Sequence, residues 1–182
     1  MYTFLIVIIS GIQVAFQNQS KSVYDITEEQ LMAGLFATAE CKQVVGFINC
    51  HITEANTMID KFNATRFSSE VADRFVDVLL AHIKRLSITQ SGGLLLMQDM
   101  TQYRECAVHS CTTSKRAELL TEIAKIYIVE ASQLNAVLKD SSLHLLDPSE
   151  FRALVAARAD SRGNASLLNK IAVKVKNEIK QQ

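Results

Sequence analysis

The sequence predicts an all-α protein, a stacked antiparallel helical bundle, on three observations. Apolar residues recur at steps of three and four rather than alternating. One proline and six glycines stand among 182 residues, so helix breakers are few. Ala, Leu, Ile, Lys and Glu, which lose little on entering a helix, recur throughout. A chain of this length can bury one core of useful size, or two small helical packets that share a seam.

The first 25 residues are set apart. Phe4 to Ile9 is an unbroken apolar run and Gln17 to Asp25 is polar without periodicity, so residues 1–25 are expected to be an apolar end and a linker, and residues 26–182 the bundle. The run is shorter than the roughly 20 apolar residues that span a bilayer. Behind Met1, with Ala15 near a cleavage position, it also has the look of a signal peptide, and Asn18, Asn63 and Asn164 open glycosylation tripeptides. No Lys or Arg precedes it, which a signal peptide would want.

Thr27-Glu28-Glu29-Gln30 places acid and amide groups at a helix start. A long helix is expected from there, with Cys41, Val45, Ile48, Ile52, Ala55 and Ile59 as its stripe and breakers at Lys61 to Thr65 as its end. A second helix follows from about Ser68, its apolar face running from Val71 through Phe75, Leu79, His82 and Ile83 to Leu86. Ser91-Gly92-Gly93 interrupts the chain. Asp99, with Gln102 three positions on, then reads as a capping box that starts a helix at Met100. Thr112-Thr113-Ser114 makes another break before Leu119, Leu120, Ile123, Ile126 and Tyr127. Asp147-Pro148-Ser149-Glu150 combines a capping Asp, proline at the first helical position and a following Glu. The helix behind it carries Phe151, Leu154, Val155 and Arg158, and Gly163 and Asn164 stop it. Leu168, Ile171, Val175 and Ile179 mark a last helix with lysines turned outward.

Charge and cysteine use narrow the function. Lys plus Arg and Asp plus Glu are both 19, so no global field attracts phosphate backbones and a nucleic-acid partner is not expected. The four cysteines are expected as thiols in a helical chain that needs no staples. Cys106, His109 and Cys111 are compact, and Cys50-His51 could supply further ligands, but neighbours on one helix point in different directions and no second pair has finger-like spacing. No metal and no cofactor are expected. Gly92-Gly93 lacks the Lys-Ser or Lys-Thr of a nucleotide loop, and reads as a place where helices approach closely. Nothing resembles a catalytic cluster.

The segment from Gly92-Gly93 through Leu94-Leu95-Leu96-Met97, Asp99 and Tyr103-Arg104 to Cys106 resembles a stretch near the C-terminus of the Sec-ten exocyst subunit, also called exocyst complex component five. Leu146-Asp147, Phe151 and Arg158-Ala159-Asp160 resemble that family's closing helix. The likeness covers about Glu28 to Arg162 and does not reach residues 1–12. Ser161 stands where the family often has an aromatic.

The resemblance implies a rod of stacked helical bundles, without catalysis, in a cytoplasmic complex that tethers secretory vesicles at the plasma membrane. Its partners would be other exocyst subunits and, by the same likeness, small GTPases, with membrane contact indirect. It makes Asp99 and Asp147 helix caps and Gly92 and Gly93 points of close packing. Tyr103, Arg104, Arg158 and Asp160 become interhelix ties or a partner surface. Recyclin-type F-box proteins carry a similar module and give an alternative role in membrane recycling; a secreted helical binding protein is a further one.

Overall fold

The apolar N-terminal run folds as helix α1, Tyr2–Asn18, in a computed structural model that describes residues 2–32, 36–111, 115–134, 136, 143, 146–161 and 163. Leu5, Ile8, Ile12 and Phe16 recur at steps of three and four and are all buried. Side chains of this size gain about 1.5–3 kcal/mol each on leaving water. Residues 1–25 are therefore not an end set apart: α1 shares one core with the helices that follow. Its helical period is hidden because Ile6, Val7 and Val14, all exposed, fill positions that charges would hold on an ordinary surface helix.

The connection Gln19–Thr27 leads to a short α2, Glu28–Met32, opened by a capping box: Thr27 N–H donates to Gln30 Oε1 at 2.9 Å and Gln30 N–H to Thr27 Oγ1 at 3.3 Å. The single long helix expected from here is divided. A new helix, α3, Ala39–Met58, begins at the cap residue Thr38, whose Oγ1 accepts from Cys41 N–H at 3.1 Å. Cys41, Val44, Ile48, Ile52 and Ala55 form its buried stripe.

Lys61 to Thr65 do not break the chain, because Asp60 caps a new helix there. Its Oδ1 accepts from the N–H groups of Phe62 and Asn63, both at 3.1 Å, and α4 runs Lys61–Ile83. α3 and α4 thus form an antiparallel hairpin closed by Ile59 and Asp60. α1 lies against both: the Phe4 ring meets His51 and Phe67, and Phe16 meets His82, so α1 is antiparallel to α3 and parallel to α4.

Helix α5, Gln90–Cys111, passes through Ser91-Gly92-Gly93 without interruption. Thr89 starts it, its Oγ1 accepting from Gly92 N–H at 3.1 Å, so Asp99 lies inside the helix and is not its cap. α5 touches α2, α3, α4 and α6. α6 is Lys115–Ile128. α7, Pro148–Ala156, starts at Asp147, which accepts from Ser149 N–H at 2.8 Å.

Arg158 lies beyond the end of α7 rather than on it. There Ile88 N–H donates to Ala157 O at 3.0 Å and Ala159 N–H to Ile88 O at 2.8 Å, an isolated parallel bridge between Ile88 and Arg158, before a single 3-10 turn, Ala159–Ser161. No strand occurs among the described residues. The break at Thr112–Ser114 and the last helix expected over Leu168–Ile179 lie outside them.

Candidate functional site

Two internal polar centres organise the bundle, and both use residues that the sequence motifs single out. The first surrounds Asp99, which α5 carries into the core with no exposed surface. Its Oδ2 accepts from the Tyr24 hydroxyl at 2.6 Å and from Thr38 Oγ1 at 2.7 Å, and its Oδ1 from Thr38 N–H at 2.8 Å. The Cys41 thiol donates to Asp99 O at 3.8 Å. One turn further on, Tyr103 is buried and meets Phe75 and Phe16 edge-on, with centroids 5.4 and 6.1 Å away.

Burial raises the Asp99 carboxyl above its usual range, against the pull of the bonds from Tyr24 and Thr38. Burial, and then the charge of Asp99, hold the Tyr24 phenol well above its ordinary value and push up the Cys41 thiol. A thiol held up in this way favours its protonated form, the weaker nucleophile.

The second centre caps the C-terminal end of α6. Arg158 is buried. Its Nη1 donates to Ile126 O and, at 2.9 Å, to Val129 O, while Nε and Nη2 each reach an oxygen of Asp160 at 2.8 Å. A cation belongs there, since the last carbonyls of a helix lack partners and carry partial negative charge. Gln90 Nε2 donates to Ile128 O at 2.8 Å, and the buried Tyr127 hydroxyl donates to Leu154 O at 2.9 Å.

Gly92 and Gly93 sit between the two centres. A Cβ at Gly92 would stand 1.7 Å from Tyr24 O, and one at Gly93 2.9 Å from Tyr127 C. The pair lets the first turn of α5 touch the α1–α2 connection and α6 at once.

The predicted residues thus divide by place. Gly92, Asp99 and Tyr103 gather around the Tyr24 side of the core; Arg158 and Asp160 gather at the end of α6, with Asp147 at the start of α7. Tyr103 and Arg158 are buried and offer little surface to a partner, and the guanidinium of Arg158 is spent on the chain itself. Arg104 is half-buried and Asp160 exposed. Tyr24, Thr38 and Thr89 are participants the motifs do not point to; Thr38 and Thr89 are cap-type residues, but no local signal marks Tyr24.

A histidine is buried beside the C-terminal end of α1. His82 Nε2 bonds Gln19 Oε1 at 2.6 Å and its ring stacks on Phe16 at 4.6 Å. Burial, helped by the charge of Arg85, lowers its pKa to about 4. It floors an open cleft of about 340 Å³ between α1 and α4.

Among the described residues no three His, Cys, Asp or Glu side chains are grouped to hold a metal. Cys41 and Cys50 are free thiols, and the Cys106 Sγ–H donates to Asn49 Oδ1 at 3.5 Å; the side chains of His109 and Cys111 lie outside the described set. No described helix is long and apolar enough to cross a membrane.

The family described as "Exocyst complex component Sec10-like, alpha-helical bundle" matches residues 1–167. The chain belongs to the Sec10-like exocyst family. That match includes α1, and so extends over the N-terminal dozen residues that the sequence motifs leave out. Exocyst complex component SEC10a of Arabidopsis thaliana is 25% identical over 135 residues, 73% of this chain and 16% of that protein. Exocyst complex component 5 of Oryza sativa subsp. japonica is 26% identical over 138 residues, 74% of this chain and 17% of that protein. Its Homo sapiens counterpart is 24% identical over 133 residues, 69% of this chain and 18% of that protein. The Sec10-like chain therefore spans about a sixth of the length of the relatives it matches.

Proposed function

We propose that this chain is a non-enzymatic scaffold element of the exocyst, docking other exocyst subunits in a peripheral, cytoplasmic complex that tethers secretory vesicles at the plasma membrane. The observation that carries the reading is the family match, which runs from α1 through α7 and so takes in the whole described bundle. The geometry agrees with a scaffold. The buried polar groups at Asp99 and Arg158 are spent on ties between elements, leaving the outer helix faces for protein contact. Of the residues singled out as a partner surface, Arg104 and Asp160 remain suited to that role, since both reach solvent.

Co-purification tests it. The full chain, tagged and expressed in cells, is expected to enrich other exocyst subunits, identified individually by immunoblot. A chain that is helical by circular dichroism yet enriches none of them would overturn the proposal.

A further inference from the structure

The connection Gln19–Thr27 is fastened to the bundle mainly through polar groups. Of its side chains only Gln19 and Tyr24 are buried. Its backbone is held at Lys21 O by Ser87 N–H at 3.2 Å, and at Tyr24 O by Thr89 N–H at 3.1 Å. Thr89 Oγ1 lies 3.1 Å from Tyr24 O and 3.2 Å from Ile26 O. A segment with so little apolar burial opens at lower free energy than the helices beneath it.

Two buried side chains anchor it: Gln19, bonded to His82 at its start, and Tyr24, whose hydroxyl ends on Asp99 Oδ2. That same oxygen also takes the Thr38 hydroxyl. We propose that Asp99 couples this connection to the N-terminus of α3, so that the two open as one unit ahead of the rest of the bundle.

The coupling runs through Thr38. Its hydroxyl donates to the Asp99 carboxylate while its oxygen accepts from Cys41 N–H, and donation to an anion makes an oxygen a better acceptor. When Tyr24 leaves, water reaches the carboxylate and competes with Thr38, and a bond that is strong in a dry site weakens in a wet one. The cap on α3 loosens as a result. By linkage the effect is reciprocal: loosening Thr38 must also ease the release of Tyr24.

Hydrogen exchange of the full chain, followed by mass spectrometry, tests the coupling in four variants. Tyr24→Phe keeps the ring and removes the anchor. It is expected to raise exchange at least about tenfold both in residues 20–27 and at the Cys41 and Lys42 amides, with α4 and α6 unaltered. Gly92→Ala, which forces Tyr24 O away without touching a hydrogen-bonding side chain, is expected to do the same. Thr38→Val should raise exchange in residues 20–27, and Thr38→Ser, which keeps the hydroxyl, should restore it. Faster exchange confined to residues 20–27 in Tyr24→Phe would overturn the coupling, and so would a rise shared equally by α4 and α6.

Discussion

The Tyr24 hydroxyl donates to Asp99 at 2.6 Å across 75 positions of sequence. With the two bonds from Thr38, the carboxylate has three donors and no water-facing surface. A buried acceptor with its donors in place adds modestly to stability, but a donor left without it costs its full desolvation. Asp99→Ala strands the Tyr24 hydroxyl and the Thr38 N–H, so it is expected to lower unfolding free energy in urea by about 2–4 kcal/mol, near 1–3 for each stranded group less what relaxation recovers. Asp99→Leu, larger and apolar, should do no better. If Asp99→Ala is as stable as the native chain, the centre around Asp99 does not hold the bundle.

The glycines give a paired test of packing against propensity. Alanine in a helix interior is worth about 1 kcal/mol more than glycine when nothing interferes. A Cβ at Gly46 would meet nothing within 4 Å, so Gly46→Ala should stabilise by about that amount. A Cβ at Gly92 would overlap a backbone carbonyl at 1.7 Å, so Gly92→Ala should destabilise despite its better propensity. Thermal melts that show both changes stabilising would mean the α1–α2 connection does not rest on α5.

His82 sets an acid-side pH dependence. Its folded pKa of about 4 lies below the ordinary 6.5, so the folded state favours neutral imidazole. The stability it confers is full above pH 6.5 and is lost as pH falls from there towards 4, by about 3 kcal/mol at most. Asp99 runs the other way. Its raised pKa makes ionisation harder in the folded state, so its contribution is full below 3.8 and declines as pH rises from there to its folded value. Urea unfolding between pH 7 and 4 should show a falling stability that His82→Gln flattens; an unchanged slope in that variant would place the titrating group elsewhere.

Much of the helical content was legible because period and cap chemistry are local. Asp147-Pro148 marks the start of α7 where it is found. Asp99 misleads because Asp99 and Gln102 satisfy a local capping pattern, while the true cap, Thr89, stands before a glycine pair that looks like a break. Those glycines make room for Tyr24 and Tyr127, and no spacing within α5 reveals such distant neighbours. Asp60 was legible in principle, as an acid before Phe62 and Asn63, but the polar residues around it imitate a loop. Arg158 reads as a surface residue of a helix because its acceptors, Ile126 O and Val129 O, lie 32 and 29 positions away.

That last correction separates two arginines that one motif-based reading treats alike. Arg158 holds the carbonyls of Ile126 and Val129 and both oxygens of Asp160 with one planar fork, a geometry that lysine does not reproduce. Arg158→Lys should therefore cost about 1.5–3 kcal/mol, the worth of a bond to a charged group, and should reduce recovery of exocyst subunits only as far as it unfolds the chain. Arg104 sits half-buried on α5, outside both polar centres. Arg104→Glu should leave the melting temperature within a degree or two while lowering co-purification of exocyst subunits. Equal recovery with Arg104→Glu and the native chain would remove that face of α5 from the partner surface. An Arg104→Glu chain that melts as early as Arg158→Lys would show instead that Arg104 is a further internal tie.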